Sequence, residues 1–468
     1  MGDFWYGFAT MQFVFEDKGF RPLRFIEGPL SRFDGMALLV GYGEKKALTR
    51  RRLIVALRKA AQFAKQNEVK NITIDFKELR ALAPKALADA DLAQLIAEAF
   101  VMANYEPTTY KTSPKGNREL AEVAVINTTA AVAKAFAKGH MVGEAVNATR
   151  ELSNTPGGDM TPELLLEAAV KAAEGTSAKV KALGRSEMAA LGMGAILGVA
   201  KGSSEEPQLI VVEYWGAGRD KKPVVLVGKG VTFDTGGLQI KPGDHMYEMH
   251  MDMSGGAAVI HTAILAARLG LKKNVVAIVP AVENNLAANA MRPGDILKSM
   301  SGKTIEILHT DAEGRVILAD ALTYAKKYNP TSVIDVATLT GASLVALGTV
   351  ASAFMTNKAS WIEPLMELAE ESGDYMWPLP LWEEYDPMVK GTFGDVPNIS
   401  TMGNSRYGGV IAGGKFLEVF AKELNCPWVH IDMAPRMTST PEDSLAKGAA
   451  GNPVRFLLKF VENFKKTQ

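Results

Sequence analysis

The chain has 468 residues, with 52 Lys+Arg against 52 Asp+Glu, 47% hydrophobic residues and 22 prolines. Such a balance lets a chain bury a large core and excludes the disordered and fibrous classes. A formal net charge of zero disfavours a protein whose first task is to coat nucleic acid or an anionic membrane, because both depend on a summed positive field.

At roughly 150 residues per domain, the length predicts two or three domains. The single cysteine, Cys426, leaves no partner for an intramolecular disulfide and no thiolate cluster. A reducing, cytoplasmic setting fits that count. With six scattered histidines and no H-E-x-x-H, any metal site must lean on carboxylates.

The start, Met1-Gly-Asp-Phe-Trp-Tyr with Glu16 and Asp17 soon after, does not read as a signal peptide. Met36-Ala-Leu-Leu-Val-Gly-Tyr reads as a buried strand, residues 48–67 as a helix and Ile72-Thr-Ile-Asp-Phe as a second strand, a βαβ rhythm. Residues 92–103 are expected to be helical and 106–116 a loop. A long helical pattern over 118–152, interrupted near Gly139 and Gly143 and ended by Ser153-Asn-Thr-Pro-Gly-Gly, predicts a connector. Thr161-Pro-Glu-Leu-Leu then offers an N-cap with proline at the first helical position. Apolar runs at 209–214, 224–227, 275–279, 305–308 and 333–336 alternate with helical segments. The expected class is α/β: two domains, each a mixed β-sheet flanked by helices, joined by a long connecting helix. The boundaries drawn are 1–125 for the N-terminal domain, 126–158 for the connecting helix and linker, and 159–468 for the catalytic domain. Residues 336–357 carry no charge and approach bilayer length, but their threonines, serines and glycines read as strand, loop and helix rather than a membrane span.

Chemistry concentrates in three places. His309-Thr-Asp-Ala-Glu-Gly-Arg315 lies between a strand pattern and a helical one. In an extended backbone Asp311, Glu313 and Arg315 share a face. The loop Gly228-Lys-Gly-Val-Thr-Phe-Asp-Thr-Gly-Gly-Leu-Gln-Ile-Lys241 packs Lys229, Asp234 and Lys241 among glycines after a strand, where open α/β sheets hold ligands. Met249-His-Met-Asp252-Met-Ser-Gly-Gly puts an acid in apolar company, either a helix cap or a ligand. Asp234, Asp252, Asp311 and Glu313, if gathered, repel one another unless cations neutralise them. Two divalent ions suffice, and an oxygen-rich, thiolate-free set suits magnesium or manganese well and zinc acceptably. Two decoys fail: Gly302-Lys-Thr304 lacks its first glycine, position 297 being Leu, and no G-x-S-x-G is present.

These residues resemble the leucyl aminopeptidases, two-metal enzymes that remove N-terminal residues from peptides. Segments 228–241, 249–258 and 304–321 match in order and spacing, as does Asp335-Val-Ala-Thr-Leu-Thr-Gly-Ala342. The likeness extends through Ser153-Asn-Thr-Pro, Tyr407-Gly-Gly and Trp428-Val-His-Ile-Asp432, nearly the whole chain. It implies that Lys229, Asp234, Asp252 and Glu313 hold one metal (Mn or Zn) and Asp234, Asp311 and Glu313 the other. Lys229 would then be held as the neutral amine, far below a lysine's reference pKa of about 10.4. It further implies attack by a metal-bridging water, an oxyanion stabilised by Lys241 at about 3–4 kcal/mol, and a bicarbonate general base anchored by Arg315. Met249, Thr338 and Gly341 match positions lining the pocket for the first side chain, implying Leu or another apolar residue, although Met249 also reads as ordinary core. The resemblance implies a cytoplasmic homohexamer acting on peptides. The alternative is a DNA-binding regulatory or architectural protein with secondary peptidase activity, its basic stripe drawn from Lys45-Lys46 and Arg50-Arg-Arg52. One departure is His309, where the family has Asn: a donor to the metal ligands, an added ligand, or a buried histidine with one satisfied nitrogen.

Overall fold

A computed structural model describes residues 6–14, 24–26, 37–44, 48–112, 119–404 and 407–463, the first three stretches as backbone only. Several sequence-based expectations lie outside the described residues: Met1 to Trp5, Glu16, Asp17, Met36, the Lys45-Lys46 pair, positions 113–116 of the loop expected over 106–116, and Arg118 at the start of the expected connector.

The chain divides into two units, residues 1–147 with 439–448, and residues 148–438 with 449–468. The return of Ser439–Gly448 to the first unit was not legible in the linear reading. It is tied there by Arg58, whose Nη1 donates to Asp443 O at 3.1 Å, and by Leu445, which packs on that unit's core.

In the first unit five described strands run in the order Arg24–Ile26, Glu122–Ile126, Asn71–Asp75, Tyr6–Val14, Ala37–Glu44. The first three are parallel, and Tyr6–Val14 is antiparallel to both its neighbours. Helices Arg50–Gln66 and Asp89–Asn104 contribute Leu53, Leu57, Ile96 and Phe100 to one core with Ile72 and Val123. The strand expected to reach Phe76 stops at Asp75, whose carboxylate accepts the amides of Lys77 (2.9 Å) and Glu78 (3.3 Å) and so opens a helix at Phe76.

The helix expected over 118–152 is corrected. Glu122–Ile126 is a strand, left-handed Asn127 ends it, and the helix runs from Ala130 to Asn154. A five-residue apolar run fits either period, which is why the pattern concealed the strand. Gly139 and Gly143 do not interrupt the helix. They permit close contact with Asp89–Asn104: a Cβ on Gly139 would lie 2.3 Å from Gln94 O, and one on Gly143 2.7 Å from Val101 Cβ.

The second unit is built on nine described strands, ordered Met376–Pro378, Ser352–Thr356, Trp428–Asp432, Ser332–Ala337, Val224–Gly228, Asn274–Asn284, Gln208–Trp215, Lys179–Leu183, with Gly230–Asp234 beside the second half of Asn274–Asn284. The four central strands, Trp428–Asp432 through Asn274–Asn284, are parallel. Gln208–Trp215 and Ser352–Thr356 pair with them antiparallel. Val224–Gly228 and Ser332–Ala337 are wholly buried, as parallel strands covered on both faces must be. Helices Ser254–Arg268 and Glu313–Ala325 are buried almost throughout. Thr161 caps the helix Pro162–Ala173 as expected, accepting Leu164 N at 3.2 Å. The uncharged stretch 336–357 is divided among the end of one strand, the helix Gly341–Leu347 and the strand Ser352–Thr356. Among the described residues no helix is long and apolar enough to cross a membrane.

Register decides what this sheet presents. Val336 pairs with Gly228, Ala337 with Asp432 and Asn284 with Asp234. Lys229, Asp234, Asn284, Thr338 and Asp432 therefore leave at the carboxyl ends of parallel strands, where such sheets form crevices. A short separate sheet holds Ile296–Lys298, Thr304–Glu306 and Val396–Pro397, so the strand expected over 305–308 ends at Glu306.

The glycine contact is testable. Gly139→Val should cost about 1–3 kcal/mol by overpacking, read as a lower thermal-unfolding midpoint. Gly158→Ala, where an added Cβ meets nothing within 4 Å, should change stability by less than about 0.5 kcal/mol.

Candidate metal centre

Six charged side chains converge at the strand ends. Lys229 follows Val224–Gly228, Asp234 ends Gly230–Asp234, Asp252 follows a turn of 3-10 helix, Met249–Met251, and Glu313 opens the helix Glu313–Ala325. Asp234, Asp252 and Glu313 are buried, and one carboxylate oxygen from each lies within 4.8 Å of the others. Lys229 Nζ, 3% exposed, is 2.7 Å from Asp252 Oδ2, 2.8 Å from Glu313 Oε1 and 3.1 Å from the Thr338 carbonyl oxygen. Lys241 Nζ lies 2.7 Å from Asp234 Oδ2 and also pairs with Asp311.

The Glu-Gly-Arg of the motif has a steric reason. Lys229 lies along the start of the helix, and a Cβ on Gly314 would sit 2.7 Å from its Nζ and Cε.

Four carboxylates face two ammoniums, two positive charges short of balance. Burial alone would depress the Lys229 ammonium, but the charges of Asp252, Glu313 and Asp234 outweigh it and raise it. Lys241 behaves likewise, raised against burial by Asp234, Glu313 and Asp311. Burial pushes the Asp252 carboxyl up to about 8, opposed by Lys229 and reinforced by Asp234 and Glu313. Burial and the charges of Glu313 and Asp234 push Asp311 up to about 7. Asp234 is held below the usual carboxylate range despite burial, chiefly by the two lysines.

The carboxylates are incompletely bonded. Asp234 Oδ1 accepts from Gly236 N and Asn284 Nδ2, both at 2.8 Å, and Asp252 Oδ1 accepts from Thr338 Oγ1 at 2.6 Å. Glu313 Oε2 has no donor, and Asp252 Oδ2, Glu313 Oε1 and Asp311 Oδ1 are met only by the ammoniums of Lys229 and Lys241. Buried carboxylate oxygens gathered within reach of one another and met only by ammoniums fit hard divalent cations well.

Asp311, Glu313 and Arg315 do not share the face of an extended strand as expected. Asp311 sits in a turn and Glu313 begins a helix, where positions two apart diverge. Glu313 meets Lys229. The buried Arg315 guanidinium lies near Gly413, with an added Cβ there 3.5 Å from its Nη2. Burial pulls Arg315 down to about 10, opposed by the charges of Glu313 and Asp432, and its Nε has no hydrogen-bond acceptor. His309 is half-buried and its Nδ1 accepts the Asp311 amide at 3.1 Å. Burial and the Lys241 charge lower its pKa.

Of the residues matched to a side-chain pocket, Met249 is half-buried, Gly341 is exposed with open space around an added Cβ, and Thr338 is buried with its hydroxyl committed to Asp252.

Several residues that sequence reasoning passed over hold the centre in shape. Asn284 and Thr310 bond the ligand-bearing loops. Asp432 accepts Leu339 N (3.1 Å) and Thr340 Oγ1 (2.6 Å), ordering the loop after Thr338. Asp320 accepts the amides of Ala195 and Ile196 at 3.0 Å and of Met300 at 2.7 Å, anchoring the helix that carries Glu313. The available signal was position alone, a polar residue at a strand end or two helical turns from Glu313.

Comparison with known proteins places this arrangement. Residues 147–458 match the cytosol aminopeptidase family, catalytic domain, and residues 35–114 the N-terminal domain of the same family. A probable cytosol aminopeptidase of Azoarcus sp. (strain BH72) is 47% identical over 327 residues, 70% of this chain and 64% of that relative, so this alignment spans less than two thirds of the relative's length. One from Roseiflexus castenholzii is 38% identical over 469 residues, covering 98% of this chain and 91% of its own. The solved bottromycin maturation enzyme BotP superposes with a TM-score of 0.82 at 30% identity, covering 92% of this chain and 91% of its own, and a structure of BotP in complex with Mn gives the same TM-score at 31% identity. Both domain matches and the extended identity with these relatives show that the chain belongs to the cytosol aminopeptidase family.

Proposed function

We propose that this chain is a metal-dependent aminopeptidase that hydrolyses the N-terminal residue, preferably Leu or another apolar residue, from peptides. The catalytic domain is assigned to residues 159–468. The observation that carries the reading is Glu313, a carboxylate 1% exposed whose only donor is the Lys229 ammonium and whose Oε2 has none, set among Asp234, Asp252 and Lys229. Lys229, Asp234, Asp252 and Glu313 would hold one divalent cation, and Asp234, Asp311 and Glu313 a second, manganese or zinc. A neighbouring fold solved with manganese supports the choice of ion. Bound there, such ions supply Lewis acidity and a water of lowered pKa.

The chain's own residues supply the rest. Lys241, between Asp234 and Asp311, keeps its proton and directs Nζ to an oxyanion developing at the scissile carbonyl. Arg315, buried and with an unbonded Nε, is assigned a bicarbonate ion, which would serve as the general base. Met249 and Gly341 are assigned to the pocket for the first side chain. Thr338 orients Asp252 through its hydroxyl and offers only its methyl to that pocket. The family reading extends to a cytoplasmic homohexamer, which sedimentation would report as six chains per particle; a monomer would refute it.

Thorough chelation should abolish release of leucine from a peptide with a free N-terminus, and added Mn or Zn should restore it, with two equivalents per chain by metal analysis. Activity that survives chelation refutes the reading. Lys241→Ala should lower kcat by about 100- to 1,000-fold with metal content intact. Loss of metal in that variant would instead make Lys241 a ligand.

A further inference from the structure

Two loops bring the acids of the candidate centre together, one carrying Asp234 and Lys241, the other Asp311 and Glu313. Thr310, fully buried and next to Asp311, engages the opposite loop through every polar atom but one. Its Oγ1 donates to Gly236 O at 2.6 Å and accepts Gln239 N at 2.9 Å. Its amide donates to Gln239 Oε1 at 2.8 Å. Its carbonyl accepts from Asn284 Nδ2 at 3.1 Å, the same amide group that donates to Asp234 Oδ1. None of these groups takes part in the chemistry proposed above.

We propose that Thr310 is a positioning residue, the centre of a lock with Gln239 and Asn284 that fixes Asp311 relative to Asp234 and thereby creates the second cation site. This inference rests on the two-cation reading. The physical need is plain: Asp234 and Asp311 repel and share only Lys241 as a countercharge. Asp311 is also the least enclosed of the four acids, with a side chain 27% exposed against 5% or less for the other three. Released from the lock, it moves toward solvent, while Lys229 and Asp234 stay in place at strand ends, Glu313 on a buried helix and Asp252 through its bond from Thr338. Loss of the lock therefore weakens one site and spares the other.

The test is calorimetric titration of the chelator-stripped full-length protein with MnCl2. Wild type should take up two equivalents. Thr310→Val, nearly isosteric but without the hydroxyl, should bind the first as wild type does and the second about 10- to 100-fold more weakly, the usual cost of removing a ligand's supporting partner. Thr310→Ser, which keeps the hydroxyl, should restore the second site. Gln239→Met attacks the lock from the other loop and should produce the same one-site loss, so the inference stays testable if Thr310→Val fails to fold. Wild-type affinities at both sites in Thr310→Val and Gln239→Met, or equal losses at both, would overturn the lock alone. A wild type that binds fewer than two cations overturns the two-cation reading and the lock with it.

Discussion

Repulsion among buried carboxylates is the constraint on which this structure turns. Two unit charges 4.8 Å apart, the outer separation within the Asp234, Asp252 and Glu313 cluster, interact by about 3–4 kcal/mol at an effective dielectric of about 20. The three pairs among these acids alone oppose folding on the order of 10 kcal/mol before any countercharge is considered, and Asp311 adds to that. Lys229 and Lys241 offset part of this, and the raised Asp252 and Asp311 carboxyls show where the offset falls short. A polypeptide keeps such a cluster only if the surrounding fold is rigid enough to hold it.

That rigidity comes from the sheet. Strands Val224–Gly228 and Ser332–Ala337 are buried end to end, and their parallel pairing makes Lys229 and Thr338 emerge together. The charged residues thus sit at the ends of elements whose hydrophobic burial is unconnected with the site, with apolar surface contributing about 25 cal/mol per Å². Polar partners then set the angles: Thr338 on Asp252, Asn284 on Asp234, Asp432 on the loop after Thr338, Asp320 on the helix of Glu313. Each is a hydrogen bond to an ionised group or from a buried amide, which is stronger than a neutral surface contact.

The acids were legible in the sequence because charge among glycines at a strand end has few structural uses, and Asp234, Asp252 and Glu313 do meet. Their partners were not, because Asn284, Thr310 and Gln239 are residue types that any loop carries. Distance along the chain concealed them too: Asn284 is 50 residues from Asp234 and Thr310 is 71 from Gln239. The α/β class followed from apolar runs, yet Glu122–Ile126 was absorbed into a helix because five residues are too few to separate the two periods. The alternation argument for Asp311, Glu313 and Arg315 failed for a different reason. The strand ends at Glu306 and a helix begins at Glu313, so geometry changes inside the motif and the three side chains do not share one extended face.

The two lysines show how environment separates residues of one type. Each touches two carboxylates, but Lys229 also reaches the Thr338 carbonyl, so three acceptors surround its Nζ, one for each proton of an ammonium. The space for its stem is left by the absence of a Cβ on Gly314. To serve as a ligand it would have to give up one of those protons, leaving a neutral amine to hold the ion alongside Asp252 and Glu313. Lys241 ends a loop, its side chain is 13% exposed, and its contacts are with Asp234 and the more open Asp311. Under the two-cation reading, ions held by those acids would weaken the grip of Asp234 and Asp311 on Lys241, whose positive charge would then be available to an oxyanion forming beside it.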